Sequence, residues 1–237
     1  MITTASRVLR QLRHDPRTVG LMILVPTALM ILLRYVLNVK FTFSHVAPDL
    51  LGIFPFLLMF LVTSIATLRE RTSGTLERLM TTPLPKLSLL AGYGLGFTVV
   101  AAVQVAVTTT VSLWLGMDVS GGLPWLFAVT AVDALLGIAL GLLASAFSRT
   151  EFQAIQMMPV VVLPQVLLCG LFQPRDQMAT VLRWASDVLP VPYAVEALQH
   201  VAGNRIDGAF ARDLLVLVGF VAGGVIAAAA TLRRTTP

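Results

Sequence analysis

Between its second and third hydrophobic runs the chain carries Arg69-Glu70-Arg71-Thr72-Ser73-Gly74-Thr75-Leu76-Glu77-Arg78-Leu79-Met80-Thr81-Thr82-Pro83, a charged island in a sequence of mean hydropathy +0.85. Read as a helix, the island exposes Glu70, Arg71, Glu77 and Arg78 and anchors itself toward the membrane through Leu76 and Leu79. The spacing leaves these charges available to a partner, so the chemistry they suit is docking through ion pairs; a merely solvated face is the plain alternative. Gly74 permits a turn that a residue with a side chain would resist. Catalytic chemistry is not supported by the remaining polar residues. His14, His45 and His200 fall in different loops, and there is no His-Glu-x-x-His, no Cys-pair metal spacing and no Gly-x-Ser-x-Gly elbow. The run Gly92-Tyr93-Gly94-Leu95-Gly96 lacks the Gly-Lys-Ser/Thr of a phosphate loop and is better read as a place of close helix packing. No metal, and no cofactor bound by this chain, is expected.

The elements that hold the island follow from composition. With 57% hydrophobic and 12% charged residues among 237, the chain has too much apolar surface for a soluble globule. A hydrocarbon core of about 30 Å takes roughly 20 apolar residues per helix. Six runs meet that length, 19–37, 49–68, 87–115, 124–147, 152–172 and 214–232, and predict an all-α polytopic membrane protein, one transmembrane domain over 1–237. The first run contains Pro26 and Arg34 and lacks a small-x-small cleavage site after it, so it is expected to be a retained anchor. Residues 1–18 predict a basic amphipathic interfacial helix, with a topogenic charge cluster as the simpler alternative. Six spans put both termini on one side. With the termini inside, eleven Lys and Arg fall in inner segments and five in outer ones, which makes the island at 69–86 cytoplasmic. Charges sorted by loop in this way argue against nucleic-acid binding despite a net +5. Cys169, alone in the chain, is expected to be packing.

Asp133 lies about nine residues into the fourth run, roughly 13 Å below its outer end. A carboxylate at that depth needs a partner, a water-filled cavity or a proton. Gly137, Gly141 and Ser145 follow it at four-residue steps, a stripe that lets another helix approach and turns Asp133 toward protein, with Arg34 or Gln104 as expected partners. Gly219, Gly223 and Ala227 repeat the pattern in the last run. Pro159 and Pro164 should kink or break the fifth run, where Met157, Met158 and Gln165, with Asp133 and Gln104, are candidates to line a pathway, ordinary packing being the alternative for each. The outer segment 173–213 is too long for a plain loop and holds two short apolar stretches read as re-entrant, the second with Pro190, Pro192, Tyr193 and Glu196; Pro192 suits the first turn of a helix.

The island from Glu70 to Pro83 resembles the coupling segment of type-2 ABC exporter permeases, which usually read Glu-Arg, two variable residues, then Gly-Thr-Leu-Glu-x-Leu and a nearby Pro. Leu189-Pro190-Val191-Pro192-Tyr193-Ala194-Val195-Glu196-Ala197-Leu198 resembles the family's ending before the last span, and the stretch from Met158-Pro159 to Gln173-Pro174 a proline-rich span. Thr72 and Gln199 depart from the pattern, where an acid and a basic residue are common. The resemblance implies a permease subunit of an ATP-driven exporter in the bacterial inner membrane, for a hydrophobic drug-like or lipid-like cargo. It implies two cytoplasmic ABC ATPase subunits that bind the ATP and Mg, a second permease of the same or a related chain, and membrane lipids around the assembly. Glu70, Arg71, Gly74, Thr75, Leu76, Glu77 and Arg78 would be the ATPase-coupling surface. The rival reading is an ion-coupled secondary transporter using Asp133, against which stand a single deep carboxylate and no obvious inverted repeat; a non-transporting scaffold is the third.

Overall fold

The computed structural model describes residues 2–73 and 86–231, and every regular element among them is a helix. In chain order these are α1 (Ile2–His14), α2 (Pro16–Leu37), α3 (Lys40–Leu51), α4 (Phe54–Thr72), α5 (Lys86–Trp114), α6 (Leu123–Phe147), α7 (Glu151–Leu168), a 3-10 turn (Arg175–Gln177), α8 (Thr180–Asp187), α9 (Val191–Ala202) and α10 (Gly208–Thr231). Among the described residues six stretches are long and apolar enough to cross a membrane: Pro16–Leu37, Lys40–Thr72, Ala91–Trp114, Leu123–Phe147, Glu151–Leu168 and Gly208–Thr231. The protein is thus an all-α, multi-pass membrane protein. Six crossings bring α1 and the end of α10 to one face of the bundle, called proximal below; the other face is distal.

Local sequence explains the helix ends. Asp15 caps α2 by accepting from Thr18 N (3.1 Å) and Thr18 Oγ1 (2.6 Å), and Pro16 fits the first turn, where its missing N–H costs nothing. The same two bonds hold the Asp15 carboxyl below its usual range. Asn38 closes α2 in the left-handed conformation, at φ 49°. Thr150 caps α7 through Gln153 N, and Asp207 caps α10 by accepting from Phe210 N (3.1 Å) and Ala209 N (3.0 Å).

Three runs depart from the sequence expectation; the last begins at Gly208, not Leu214, so its helix takes in the end of the expected outer segment 173–213. The second begins at Lys40, not Asp49, and is broken. Helix α3 ends at Leu51 with Gly52 as its cap, and α4 starts at Phe54 with Pro55 in its first turn. Asp49 does not mark a water boundary, because Gln199 Nε2 donates to its Oδ1 (2.8 Å) and it is 5% exposed. The fifth run is shorter than expected and unbroken: α7 runs helically through Pro159 and Pro164. Both prolines face outward, and the Gln165 amide donates to the Val161 carbonyl beside the second.

The bundle has a hub. Helices α4 and α6 pack along their lengths because Gly137 and Gly141 let the backbones meet: a Cβ on Gly137 would overlap the Phe56 carbonyl, and one on Gly141 would fall 2.6 Å from the Phe60 carbonyl oxygen. Helix α9 is wedged at the distal end among α3, α6 and α10, with Val191, Ala194, Val195 and Leu198 fully buried. Its end is pinned to the α5–α6 loop by Gly121 N donating to the Val201 carbonyl (2.8 Å). Among the described residues the second small-residue stripe is not a seam, since nothing lies within 4 Å of a Cβ on Gly219 or Gly223; Gly224 instead packs on Ala139.

Candidate functional site

The proximal end of α4 carries the first three residues of the charged island, and all three are engaged. Glu70 and Arg71 lie on the last turn of α4, continuous with the span rather than on a separate surface helix. Glu70 Oε2 accepts from Arg7 Nη2 (2.7 Å) and from the Tyr93 hydroxyl (2.9 Å), and the Arg7 guanidinium lies 5.7 Å over the Tyr93 ring. Arg71 Nη1 donates to the Ser145 carbonyl (2.9 Å), and Arg69 forms a two-pronged bridge to Glu151 (2.7 and 2.9 Å). Expected to be exposed and available, Glu70 and Arg71 instead knot α4 to α1, α5 and α6, while Arg69 reaches α7. The reason is depth: α4 delivers Glu70 beside the buried Tyr93, where a carboxylate needs immediate partners. Gly74, Thr75, Leu76, Glu77 and Arg78 lie outside the described residues. Beside the knot a cleft of about 350 Å3 opens between apolar walls (Val8, Val62, Ile65, Phe97) and a polar rim that includes Asp15 and Arg69.

Inside the bundle, Asp133 is fully buried and its Oδ2 accepts from the Phe56 backbone N (3.2 Å). Neither expected partner bonds it. Arg34 Nε donates to the Leu115 carbonyl at the end of α5 (3.0 Å), and both amide atoms of the buried Gln104 have no hydrogen-bond partner among the described residues. The break between α3 and α4 created the partner that Asp133 found: an N–H in a helix's first turn has no intrahelical acceptor. Gln165 is also structural in geometry, accepting from Val191 N at the start of α9 (3.3 Å). Met157 and Met158 are half-buried on α7, whose other face presents Phe152, Ile155, Val160 and Leu163 outward.

At the distal end Pro190 and Pro192 are buried at the start of α9, while Tyr193 and Glu196 are half-buried one turn apart. Arg175, from the 3-10 turn, gathers them. Its guanidinium pairs with Glu196 Oε2 and Asp187 Oδ1 (2.6 Å each) and lies 5.0 Å over the Tyr193 ring, whose hydroxyl donates to the Asp187 carbonyl (2.8 Å). Asp213, fully buried at the start of α10, accepts from Arg212 (2.8 Å) and lies 3.6 Å from His200 Nε2.

Compared with known proteins, residues 1–202 match the sequence model described as ABC-2 type transporter, which takes in every helix from α1 to α9. The chain belongs to the ABC-2 type transporter family. It is similar to the probable multidrug ABC transporter permease YbhS of Escherichia coli (28% identical over 72% of this chain and 47% of that protein). It is also similar to ABC transporter G family member 20 of Dictyostelium discoideum (27%, over 69% of this chain and 22% of that protein). The linearmycin resistance permease protein LnrN of Bacillus subtilis is 25% identical over 70% of this chain and 43% of its own length. The chain thus spans less than half the length of each of these relatives.

In this ABC-2 chain no group of three metal-ligating side chains occurs among the described residues. Most of these polar groups tie one helix to another. Several members of these ties went unnoticed in the sequence, Glu151, Asp187 and Asp213 among them. Arg7 carried a signal, one of three basic residues at three-residue spacing, and Tyr93 stood inside the glycine run. Arg175, in a loop without pattern, carried none.

Proposed function

We propose that this ABC-2 chain is the transmembrane permease subunit of an ATP-driven exporter, with the proximal face in the cytoplasm of a bacterial cell and the membrane its inner membrane. Family membership carries the reading. The geometry adds a route for force: the segment after Ser73 leaves directly from α4, whose last turn is braced against three neighbouring helices, so a push on that segment is delivered to the bundle. The coupling surface is Gly74, Thr75, Leu76, Glu77 and Arg78, with Glu70 and Arg71 as its inner anchors. Two cytoplasmic ABC ATPases bind the ATP and Mg and hydrolyse the nucleotide, and a second permease, identical or related, completes the pathway. The relatives include a probable multidrug permease and a linearmycin resistance permease, which supports a hydrophobic drug-like or lipid-like cargo. The outward apolar face of α7, with Met157 and Met158 beside it, suits the wall of such a pathway.

The test is purification of the tagged chain from its host in mild detergent, with mass-spectrometric identification of partners and an ATPase assay. Recovery of a Walker-A ATPase in near-equal amount, lost on Glu77→Lys in a chain that still inserts, is the expected result. A partner-free protein, or an unaffected Glu77→Lys complex, would overturn the reading.

A further inference from the structure

The second span breaks at Gly52-Ile53, inside the bundle rather than at its surface. Phe56, in the first turn of α4, donates its backbone N–H to Asp133, which lies ten residues, or about 15 Å of helix, inward from the distal end of α6. That N–H belongs to the set no helix can satisfy for itself. The acceptor comes from another helix, and is the fully buried carboxylate of the chain's hub. Between Asp133 and the proximal face, Gly137 and Gly141 bring α6 against the Phe56 and Phe60 carbonyls of α4. At the proximal end Arg71 of α4 closes the pair by donating to Ser145 of α6. Helices α4 and α6 are therefore fastened at both ends and interlocked between.

We propose that Asp133 is a positioning residue: by capping the inner half of the broken second span it locks α4 to α6 as one rigid lever, whose proximal end bears Glu70 and Arg71 and whose distal end is the Gly52-Ile53 hinge. Movement imposed at the coupling segment then reaches the middle of the membrane with α4 and α6 moving together, while α3, on the far side of the hinge, stays with α9 through the Asp49–Gln199 bond. The lever's part in transport rests on the permease reading above; the cap does not. Because a cap needs an acceptor and not a proton or an ion, Asp133→Asn retains the function, whereas a residue that exchanges an ion would lose it.

The experiment is hydrogen–deuterium exchange of the peptide covering residues 53–60, on the purified chain in lipid nanodiscs and on the complex copurified with its ATPase, nucleotide-free and with vanadate-trapped ATP. In the chain alone, Asp133→Leu should raise exchange at this peptide at least tenfold and Asp133→Asn less than threefold. In the complex, trapping should alter exchange at 53–60 in the wild type and in Asp133→Asn but not in Asp133→Leu. Wild-type exchange in Asp133→Leu would overturn the cap, and a trapping response that persists in that variant would overturn the lever. If Asp133→Leu does not insert, Asp133→Asn decides: a tenfold rise in exchange refutes a cap that needs only an acceptor. Failure to recover any ATPase would count against the permease reading and leave the measurement on the chain alone standing.

Discussion

Adding one methyl group at Gly141 or Gly137 should force α4 and α6 apart. A Cβ on Gly141 would sit 2.6 Å from the Phe60 carbonyl oxygen, 3.0 Å from Thr63 Cβ and 3.2 Å from Ser64 N. The closest comfortable C···O contact is about 3.3 Å, so α4 and α6 must part by roughly 0.7 Å. The first obstacle is backbone, which cannot swing aside as a side chain would. Overpacking of this kind costs about 1–3 kcal/mol. An opening of that size carried along to Asp133 would stretch its 3.2 Å bond with Phe56 N to about 3.9 Å, beyond hydrogen-bond range, and adds about 1 kcal/mol or more for a buried N–H left unpaired. Alanine's better helix propensity returns up to about 1 kcal/mol, giving a net loss of about 2 kcal/mol for Gly137→Ala and Gly141→Ala. Equilibrium unfolding in mixed micelles titrated with SDS measures it. Gly20→Ala and Gly219→Ala, where nothing lies within 4 Å, serve as controls and should be neutral or slightly stabilising. The double variant should lose less than the sum, because helices already parted admit the second methyl more cheaply. If Gly137→Ala unfolds at the same SDS fraction as Gly20→Ala, the close approach of α4 and α6 is wrong, and the lever with it.

Arg175→Ala should free the 3-10 turn and α8 from α9 and leave Glu196 without its partner, a loss of about 1–3 kcal/mol that limited proteolysis between residues 173 and 190 would reveal as faster cleavage; unchanged cleavage would mean the guanidinium clasp holds nothing. The Asp207 carboxyl is held below its usual range by the backbone N–H groups of Phe210 and Ala209, so its cap is fully present above the ordinary carboxylate range and is lost as pH falls through the depressed value. Phe210 meets Trp125 edge-on at 5.2 Å, so in a variant with Trp125 as its sole tryptophan the emission should shift in that acidic window; Asp207→Asn should remove the shift, and its persistence would refute the assignment.

The spans were legible because bilayer thickness sets their length and composition fills it. That Asp133 turns toward protein was legible too, since four-residue spacing of Gly137, Gly141 and Ser145 allows only one helical face. What Asp133 bonds was not, because its partner is a backbone N–H with no side-chain identity, created by a break whose only marks are Pro48, Gly52 and Pro55 in an otherwise apolar run. Glu70 and Arg71 were expected to be exposed and are instead engaged, because their partners Arg7, Tyr93 and Ser145 come from 23 to 74 residues away. Periodicity also could not rank the two small-residue stripes. Gly137 and Gly141 are packed and Gly219 and Gly223 are open, with the same spacing in each.

The hinge at Gly52-Ile53 bears on the order in which the protein can be made. Residues 40–72 emerge as one apolar stretch, about 50 Å if continuously helical, far more than a bilayer's hydrocarbon core. The bond that holds α3 aside, Asp49 to Gln199, joins residues 150 apart. At roughly 5–20 residues per second, α3 waits about 8–30 s for α9 to be synthesised. Once α6 is complete at Phe147, about two-thirds of the way through that interval, α4 can seat against it, while the face of α3 that meets α9 stays uncovered and must be sheltered by lipid or by the insertion machinery. The closing of α3 onto α9 is therefore a late step of assembly, and a chain halted between residues 147 and 199 would carry the α4–α6 hub and an unfinished distal end.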